Sequence, residues 1–391
     1  MKKDWTYKKL GEVANTFRGL TYSKKDEVEH SSKAVLRSNN IDLTSHQLNF
    51  DEIKYIREDF VIPQDKLVKK DSIFICMSNG SMQHLGKVAY IDKEYNFAFG
   101  GFMGLVVPKE IVNAKYVYYS MLADNFLSTI MKEGKGANIN NLRFSDVENY
   151  LIPIPPLSIQ RSIVAELDLL HSVISKKKEQ LRELDNLAQS LFYQMFGDPI
   201  TNPMGWEVKK IGEVFEIGSG GTPAKNISEY WDNGDIPWIG SNMCQNSIVY
   251  QTDGKFITRS GLEHSSAKLL PSDTVLVALV GATIGKVALL KTPSATNQNI
   301  AFIKSHEEFA PIFVFYHLMN QYEEFMNIGN GDFKMATQGF IKGLPIILPP
   351  LSLQQSFAAK VSAIEAQKQA ITQSIQHTEA LLAQRMDNYF G

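Results

Sequence analysis

Apolar residues recur at alternating steps of four and three along one long stretch of the chain. The positions in this frame are Ile163, Leu167, Leu170, Ile174, Lys177, Leu181, Leu184, Ala188, Leu191 and Met195, and all except Lys177 are apolar. This spacing places one apolar stripe along a helix and is typical of a coiled-coil seam. It predicts a helix of about 38 residues, roughly 55 Å long.

A second stretch near the end of the chain repeats the frame. Its positions are Phe357, Val361, Ile364, Lys368, Ile371, Ile375, Thr378, Leu382, Arg385 and Tyr389, with polar breaks at Lys368, Thr378 and Arg385. Because such helices are too long to be covered by small domains, we expect them to pair antiparallel, related by an approximate two-fold axis. The alternatives are that both belong to one core or that each binds a separate partner helix.

Start and stop signals bound both helices. Each is preceded by Pro-Pro-Leu-Ser, and proline does not continue a helix in the N-terminal direction. Ser158 and Ser352 are therefore the predicted N-cap residues. Each helix should end at a Phe-Gly pair, just before Gly197 and Gly391, since glycine readily takes the conformation that closes a helix.

The helices are part of a duplication of the whole chain. Segment 5–13 (WTYKKLGEV) returns as 206–214 (WEVKKIGEV), and 155–160 (PPLSIQ) returns as 349–354 (PPLSLQ). A period of about 200 residues is too long for a solenoid, so each repeat is predicted to fold as a unit of its own. The predicted division is globular domain 1–155, helix 156–197, globular domain 198–348 and helix 349–391.

The globular parts are predicted to mix strands and helices, which makes the fold class α+β. The predicted strands are Ser72–Met77, Lys87–Ile91, Thr274–Leu279 and Lys286–Leu290, and the predicted helices are around Ala114–Met131 and Pro311–Met326. The loops between them are rich in Asn, Gln, Ser, Thr and Gly. Amide side chains suit the reading of adenine edges, although a set of ordinary turns has the same composition.

Composition restricts the class of protein. Of the 391 residues, 44% are hydrophobic and 21% are charged, which is ordinary for a soluble globular protein and argues against disorder. The two cysteines, Cys76 and Cys244, lack CxxC spacing, which favours buried thiols in a reducing compartment. The N-terminal segment resembles no secretion signal and no apolar run is long enough to cross a bilayer, so we expect a cytoplasmic protein.

The net charge of −2 gives no basic footprint over the whole surface. Locally, residues 1–25 hold seven Lys or Arg residues and only two acidic ones. A basic run is more often a solvated face than a binding site, so this segment only supports a nucleic-acid partner.

Catalytic motifs are missing from the sequence. Segment 281–286 has one residue too few between its glycines for a phosphate-binding loop, and 80–87 has one too many, so both are predicted to be hairpin turns. There is no HExxH or GxSxG motif, no Asn/Asp-Pro-Pro-aromatic motif of amino-methylating enzymes and no glycine-rich cofactor loop. We therefore expect no catalytic residues, cofactor or metal in this chain.

The duplicated order of motifs resembles the specificity subunit of Type I restriction-modification systems. The resemblance covers essentially the whole chain. It rests on the two domain openings (9–13 and 210–214), on 221–223 (GTP), 234–239 (GDIPWI), 285–288 (GKVA) and its counterpart 86–89, and on both Pro-Pro-Leu-Ser-x-Gln helices. The first domain departs from the pattern at 19–22, where GLTY replaces Gly-Thr-Pro.

This resemblance implies a non-catalytic subunit that reads double-stranded DNA. Each globular part would be a target-recognition domain for one half of a split, asymmetric target, and the helix pair would set the gap. The resemblance also implies two methyltransferase subunits carrying S-adenosylmethionine and two restriction motor-nuclease subunits as partners. Four residues inserted near Lys177 should then lengthen the preferred gap.

The residues predicted to contact DNA come from the polar loops. In the first domain they are Arg18, Tyr22, Lys24, Arg37, Asn39, Asn79, Gln83, Lys135 and Asn138. In the second domain they are Thr222, Lys225, Ser241, Asn242, Thr283, Gln298, Lys334 and Gln338.

Three other classes stay open at this point. An adenine methyltransferase acting alone is opposed by the missing cofactor and catalytic motifs. A coiled-coil scaffold without a DNA role is opposed by the polar loops. A DNA-binding subunit of a methyltransferase-only or other defence complex has the same sequence features as the favoured class, and the neighbouring genes would distinguish the two.

Overall fold

The two predicted long helices are present as Leu157–Phe196 and Leu351–Phe390, each of 40 residues. Both end at the predicted Phe-Gly pairs, and Gly197 takes the left-handed conformation, with φ of +77°. The structure is a computed structural model that describes residues 5–81, 83–133, 141–328 and 335–391. Among these residues, no helix has the length and apolar character needed to cross a membrane.

Two compact units divide the chain through the middle of both long helices. Unit 1 comprises Met1–Lys178 and Gln373–Gly391, and unit 2 comprises Glu179–Thr372. Each unit therefore groups one globular part with portions of both helices. The four segment boundaries proposed from the sequence stay a prediction.

The elements of unit 1 follow the chain from residue 6 to the first part of the first long helix. Its strands are Thr6–Lys9 (β1), Ala14–Arg18 (β2), Glu27–Val28 (β3), Lys33–Leu36 (β4), Lys54–Ile56 (β5), Ser72–Cys76 (β6), Val88–Ile91 (β7), Phe97–Phe99 (β8), Met103–Pro108 (β9) and Leu151–Ile154 (β10). Its helices are Leu10–Val13 (α1), Ala114–Leu122 (α2), Asp124–Glu133 (α3), Phe144–Asn149 (α4) and the first part of Leu157–Phe196 (α5).

The elements of unit 2 follow a similar order, with additional elements between its strands. Its strands are Val208–Lys210 (β11), Ile217–Ser219 (β12), Ile236–Ile239 (β13), Ser247–Val249 (β14), Phe256–Ile257 (β15), Leu269–Leu270 (β16), Val275–Ala278 (β17), Val287–Leu290 (β18), Ser294–Thr296 (β19), Ile300–Ile303 (β20) and Pro345–Ile347 (β21). Its helices are Ile211–Val214 (α6), Arg259–Glu263 (α7), Pro311–Met319 (α8), Tyr322–Met326 (α9), Gln338–Gly343 (α10) and the first part of Leu351–Phe390 (α11).

Both units share a core sheet order, with different edge strands. The larger sheet runs β2-β9-β6-β7 in unit 1 and β12-β20-β17-β18-β14 in unit 2, and the second sheet runs β3-β5-β4-β8 and β15-β13-β19-β16. In each second sheet one pair is parallel, β4 with β8 and β13 with β19. The predicted hairpins are confirmed, because β6 pairs antiparallel with β7 and β17 with β18. The predicted α+β class is confirmed as well.

Strand β6 shows why these strands are apolar throughout. Its alternate residues Ile73 and Ile75 pack with the helices α2 and α3, whereas Phe74 and Cys76 pack with the second sheet. With both faces covered, every position of the strand is buried. Burial raises the pKa of the Cys76 thiol to about 11, and it raises that of Cys244 to about 12, so both cysteines are buried thiols as predicted.

Within each unit the long helices pair antiparallel, as predicted. In unit 1, Lys178 Nζ lies 2.8 Å from Glu379 Oε1, and nearer the start of α5 the Tyr389 hydroxyl donates to Glu166 at 2.6 Å. In unit 2, Phe357 packs edge-on against Phe192. Every position of the two seam frames is buried or half-buried.

The polar seam positions have polar partners. Lys177 donates to the Ser374 hydroxyl within unit 1. In unit 2, Lys368 lies 2.6 Å from Asp185 and 2.7 Å from Glu365. Burial alone would lower the pKa of Lys368, but the hydrogen bonds to these carboxylates raise it above its ordinary value. Lys368 therefore stays charged inside the seam.

The predicted N-caps Ser158 and Ser352 are wrong. Each helix begins one residue earlier, at the leucine, and both serines lie exposed in the first turn. The carbonyl of the second proline accepts the first helical hydrogen bonds instead, from the amides of Gln160 at 3.0 Å and Gln354 at 3.2 Å.

The glutamine of each Pro-Pro-Leu-Ser-x-Gln motif fastens the start of its helix. Gln160 is buried, accepts from the Asn113 amide at 2.8 Å and donates to the Pro155 carbonyl at 2.8 Å. Gln354 does the same with Ala310 at 3.0 Å and Pro349 at 2.9 Å. The motif thus joins each long helix to the residue that precedes α2 or α8.

Each long helix predicted inside a globular part is two shorter helices. In unit 1 the carbonyl of Ser120, which a continuous helix would bond to an amide one turn later, accepts the Tyr150 hydroxyl at 3.3 Å. In unit 2 the break falls at the buried Gln321, which donates to the Pro345 carbonyl at 2.7 Å. In unit 1 a tertiary hydrogen bond thus replaces a helical one at the break, whereas in unit 2 a side-chain hydrogen bond to Pro345 holds the break in place.

Unit 2 encloses a histidine in its core. His317 is fully buried in α8, and its Nε2 lies 2.9 Å from the Pro345 carbonyl oxygen, which makes that nitrogen a donor. Burial lowers the pKa of His317 to about 4, partly opposed by this hydrogen bond.

Acidification is expected to destabilise unit 2 through His317. The folded pKa lies below the unfolded value of about 6.5, so the unfolded chain takes up the proton first and stability is lost as the pH falls from about 6.5 toward 4. These values correspond to a loss of about 2 kcal/mol between pH 7 and pH 5. Urea unfolding followed by tryptophan fluorescence measures this loss, because Trp206, Trp231 and Trp238 lie in unit 2.

His317→Gln is the matched variant, since its side-chain amide can still donate to Pro345. Its unfolding should lose this part of the pH dependence, whatever its stability at pH 7. Equal pH slopes in the variant and the wild type would contradict the assignment.

Candidate nucleic-acid interface

Five segments of each unit meet at one end of the sheets. They follow β2, β4 and β6, connect β8 to β9, and precede α4, and their counterparts in unit 2 follow the same elements. Loop cluster 1 consists of residues 18–25, 37–40, 77–81 with 83, 100–102 and 141–143. Loop cluster 2 consists of residues 219–225, 240–243, 279–284, 297–299 and 335–338.

Backbone hydrogen bonds hold loop cluster 1 together. The Gly19 amide donates to the Met103 carbonyl at 3.1 Å, and the Gly100 amide donates to the Leu36 carbonyl at 2.9 Å. The Met77 amide donates to the Phe102 carbonyl at 3.0 Å. These bonds cross between segments that are distant in sequence, so the loops form one surface.

Loop cluster 2 repeats the same bonds. The Gly220 amide donates to the Ile300 carbonyl at 3.4 Å, Asn297 to Ile239 at 3.1 Å and Leu279 to Asn299 at 2.8 Å. The matching bonds align 19–22 with 220–223. They supply the equivalence that the sequence hides where GLTY replaces Gly-Thr-Pro.

A close backbone approach fixes one glycine in each cluster. A Cβ atom on Gly19 would lie 2.0 Å from the Gly100 carbonyl oxygen, and one on Gly220 would lie 2.1 Å from the Thr296 carbonyl oxygen. Real Cβ atoms do not approach backbone this closely, so only glycine fits at either position.

Neither cluster contains an acidic residue. Loop cluster 1 holds five cationic residues, which are Arg18, Lys24, Lys25, Arg37 and Arg143, and loop cluster 2 holds Lys225. The chain as a whole has a net charge of −2. Positive charge is therefore concentrated on loop cluster 1, where it suits contact with phosphate, whereas loop cluster 2 carries a single cation. Asp26, which directly follows the first segment of loop cluster 1, pairs with Arg57 at 3.2 Å.

The predicted residues of the first domain that the structure describes lie in loop cluster 1, with different surroundings. Arg18, Lys24 and Gln83 are exposed. Asn39 donates to Glu52 at 3.2 Å. Asn79 donates to the Ser38 hydroxyl at 2.7 Å, and its Oδ1 accepts from the Ser81 amide at 2.8 Å, so this side chain also braces the loop.

Tyr22 and Arg37 are half-buried and lie near each other at Gly100. Burial raises the pKa of the Tyr22 hydroxyl, nearby Glu27 adds to the rise, and Arg37 opposes it. Within the described part of the chain, Arg37 Nε is buried without a hydrogen-bond partner.

The predicted residues of the second domain that the structure describes lie in loop cluster 2. Thr222 donates to Gln298 at 2.6 Å, Gln338 donates to the Ser219 hydroxyl at 2.9 Å, and Asn242 donates to Asp253 at 3.3 Å. Lys225 is exposed, whereas Ser241 and Thr283 are half-buried.

A cavity of about 730 Å³ opens beside loop cluster 2. Its lining combines rings, amides and cations, including Lys225, Trp231, Asn233, Trp238, Asn242 and Lys255. The sequence prediction missed Trp231, Asn233 and Lys255, since they come from segments that pack beside the loops only in the fold. The cavity offers donors, acceptors and aromatic faces to a ligand.

Three predicted residues, Lys135, Asn138 and Lys334, lie outside the described residues. Phe102 was missed, although it stands in loop cluster 1 and is 74% exposed. The available signal was the pair of glycines directly before it. Across the residues that the structure describes, no group of three or more His, Cys, Asp or Glu side chains could hold a metal ion.

A comparison with protein-family models finds one family, and it matches the chain twice. The model describes the Type I restriction modification DNA specificity domain, and it matches residues 2–186 and 203–379. The two matches together cover far more than half of the chain.

Curated proteins with similar sequences are named as specificity subunits of Type I restriction enzymes. The specificity subunit of the Type I restriction enzyme EcoR124I/EcoR124II of Escherichia coli is 30% identical over 52% of this chain and 50% of its own length. The EcoKI specificity subunit of Escherichia coli is 23% identical over 52% of this chain and 44% of its own length. In these alignments the chain spans about half the length of the relatives. A putative specificity subunit, MjaX of Methanocaldococcus jannaschii, is 24% identical over 93% of this chain and 87% of its own length.

Solved structures share the fold. The Type I restriction-modification S subunit from M. genitalium has a TM-score of 0.58 at 14% identity, covering 99% of this chain and 96% of the other. A chain from a Type I system studied for complex assembly and conformational transition has a TM-score of 0.58 at 18% identity, covering 99% and 97%.

Proposed function

This chain belongs to the Type I restriction-modification DNA specificity family, and on that premise we propose that it is the DNA-reading subunit of such a complex. Loop clusters 1 and 2 each read one half of a split double-stranded target. The observation that carries this proposal is the pair of loop clusters, which share one backbone frame and contain no acidic residue in a chain of net charge −2.

The two half-sites are unequal. At equivalent positions of the shared frame the clusters present different side chains, such as Arg37 against Gly240 and Phe102 against Asn299. Direct readout depends on which donors and acceptors meet the base edges. An asymmetric target follows from these differences.

The chemistry of the complex resides in partner subunits. Two methyltransferase subunits carrying S-adenosylmethionine and two restriction motor-nuclease subunits assemble with this non-catalytic chain in the cytoplasm. The paired helices α5 and α11 set the gap between half-sites and dock the methyltransferase subunits. The motifs favour an organisation with recognition domains at 1–155 and 198–348 and spacer helices at 156–197 and 349–391.

Selection from a random duplex library tests the function. The full chain, with and without its co-purified methyltransferase partner, is expected to enrich one bipartite sequence with a fixed gap. Enrichment of no sequence by either form would overturn the proposal. Enrichment only with the methyltransferase would show that recognition requires the partner.

Asn79→Ala is expected to relax recognition in one half-site only, with a loss of about 1–3 kcal/mol of discrimination. The side chain lies in loop cluster 1, where it can meet a base edge while it braces Ser38. Competition binding with single-base variants of the selected target measures the loss at each position.

The matched control is Asn15→Ala. Asn15 is exposed on β2, at the end of the strand away from loop cluster 1. This variant should bind like the wild type. If Asn79→Ala leaves the base preferences of both half-sites unchanged, its assignment to recognition is wrong.

A further inference from the structure

Phe102 is the most exposed aromatic side chain in the described part of the chain. It is 74% exposed, although a phenylalanine ring is strongly favoured in a protein core. It stands in loop cluster 1, between β8 and β9. Its exposure therefore places a large apolar group in the middle of a polar surface.

The backbone at Phe102 is held firmly. The amides of Met77 and Ser78 both donate to its carbonyl, at 3.0 and 3.1 Å, and the Met103 amide donates to the Gly100 carbonyl at 2.8 Å. These bonds fix the turn on both sides of the ring. The exposed ring is therefore presented by a braced turn of the backbone.

Its surroundings favour a nucleic acid over a protein as the occupant. Protein interfaces bury contiguous apolar patches, whereas the other exposed side chains of loop cluster 1 are polar or cationic, such as Arg18 and Gln83. One apolar ring among polar and basic groups matches the wedges that DNA-binding proteins insert between base pairs.

The equivalent position in unit 2 has no such ring. Asn299 occupies it, is half-buried, and has its amide bonded to Asn297 Oδ1 at 3.1 Å. The alignment is secured by matching bonds, since the Leu279 amide donates to Asn299 as the Met77 amide does to Phe102. An exposed aromatic ring is therefore present at this position in the first repeat only.

We propose that Phe102 inserts at one base step of the first half-site, unstacks it and bends the duplex, and that the second half-site is read without insertion. This inference rests on the proposed DNA-reading function. Insertion favours steps that unstack easily, such as pyrimidine–purine steps, so the ring selects sequence through deformability. It accounts for part of the difference between the half-sites.

The experiment uses the full chain with its methyltransferase partner and duplexes of the selected target. Adenines in each half-site, except those that the methyltransferase modifies and would itself flip out of the stack, are replaced one at a time by the fluorescent base 2-aminopurine, which brightens when it is unstacked. The wild type should raise the fluorescence at one step of the first half-site and at none of the second. Phe102→Ala should abolish that rise and weaken binding about tenfold or more, whereas Phe102→Trp should keep both.

Ile111→Ala is the matched control, because Ile111 is 55% exposed and lies beyond the other end of β9. It should keep the wild-type fluorescence and affinity. The same fluorescence rise in Phe102→Ala as in the wild type overturns the wedge while the proposed function stands. Loss of methyltransferase association in Phe102→Ala, with DNA fluorescence unchanged, also overturns it and marks a protein contact. A wild-type complex that selects no sequence overturns the proposed function and the wedge together.

Discussion

Replacing Gly19 with alanine is expected to abolish sequence discrimination in the half-site read by unit 1, while the other half-site is still read. The new Cβ would lie 2.0 Å from the Gly100 carbonyl oxygen. The atoms that it would meet belong to the backbone, so no flexible side chain can move aside to make room. The segment carrying Tyr22 and the turn carrying Phe102 must separate, at a cost of about 3 kcal/mol or more. Selection from the random duplex library measures the result as loss of base preference in one half of the motif.

The duplication supplies the reciprocal experiment and its control. Gly220→Ala meets the Thr296 carbonyl oxygen at 2.1 Å and should abolish discrimination in the second half-site instead. Gly343, at the end of α10 and outside both loop clusters, has open space where a Cβ would stand, so alanine there should leave the motif unchanged. Loss of both half-sites from either Gly19→Ala or Gly220→Ala would contradict the assignment of one unit to each half.

The sequence predicted the long helices best, because their signal is local and repeated many times. In each helix, ten regularly spaced positions mark the single face that is buried. The polar positions Lys177 and Lys368 interrupt this apolar pattern, and in the structure they bind Ser374 and Asp185 on the facing helix. The hairpins were predictable for a similar reason, since apolar strands flank a glycine-containing turn.

The helix starts and the breaks depended on contacts that are distant along the chain. The serines after each proline pair looked like caps, but Gln160 supplies the fastening through Asn113, 47 residues earlier. The break between α2 and α3 uses the Tyr150 hydroxyl, 30 residues after Ser120. Propensity along the chain carries no signal for either bond.

The candidate site was predictable as a set of loops, but its geometry was not. Loop residues were chosen by their hydrogen-bonding side chains, whereas the frame of each cluster is built from backbone amides and carbonyls that any residue can supply. That is why 19–22 and 220–223 are equivalent despite different sequences. The choice by polarity also passed over Phe102, the one large apolar side chain exposed in loop cluster 1.

Adding seven residues to each long helix is expected to lengthen the preferred gap between half-sites by about three base pairs. Seven residues keep the alternating steps of four and three, and they extend a helix by about 10.5 Å, against about 3.4 Å for each base pair of DNA. Lys177 in α5 and Ser374 in α11 mark the place for both insertions, because these residues face each other within unit 1. Binding to duplexes with fixed half-sites and a graded gap gives the preferred length.

Affinity at the new optimum should fall below that of the wild type, since three added base pairs also rotate one half-site by about a third of a helical turn. Inserting seven residues into α5 alone leaves its added turns without a partner and should weaken binding at every gap. A seven-residue replacement at the same place, without added length, should keep the original gap. If the doubly extended chain still binds tightly and prefers the original gap, the helices do not set the spacing, and the distance between half-sites must be fixed by the partner subunits instead.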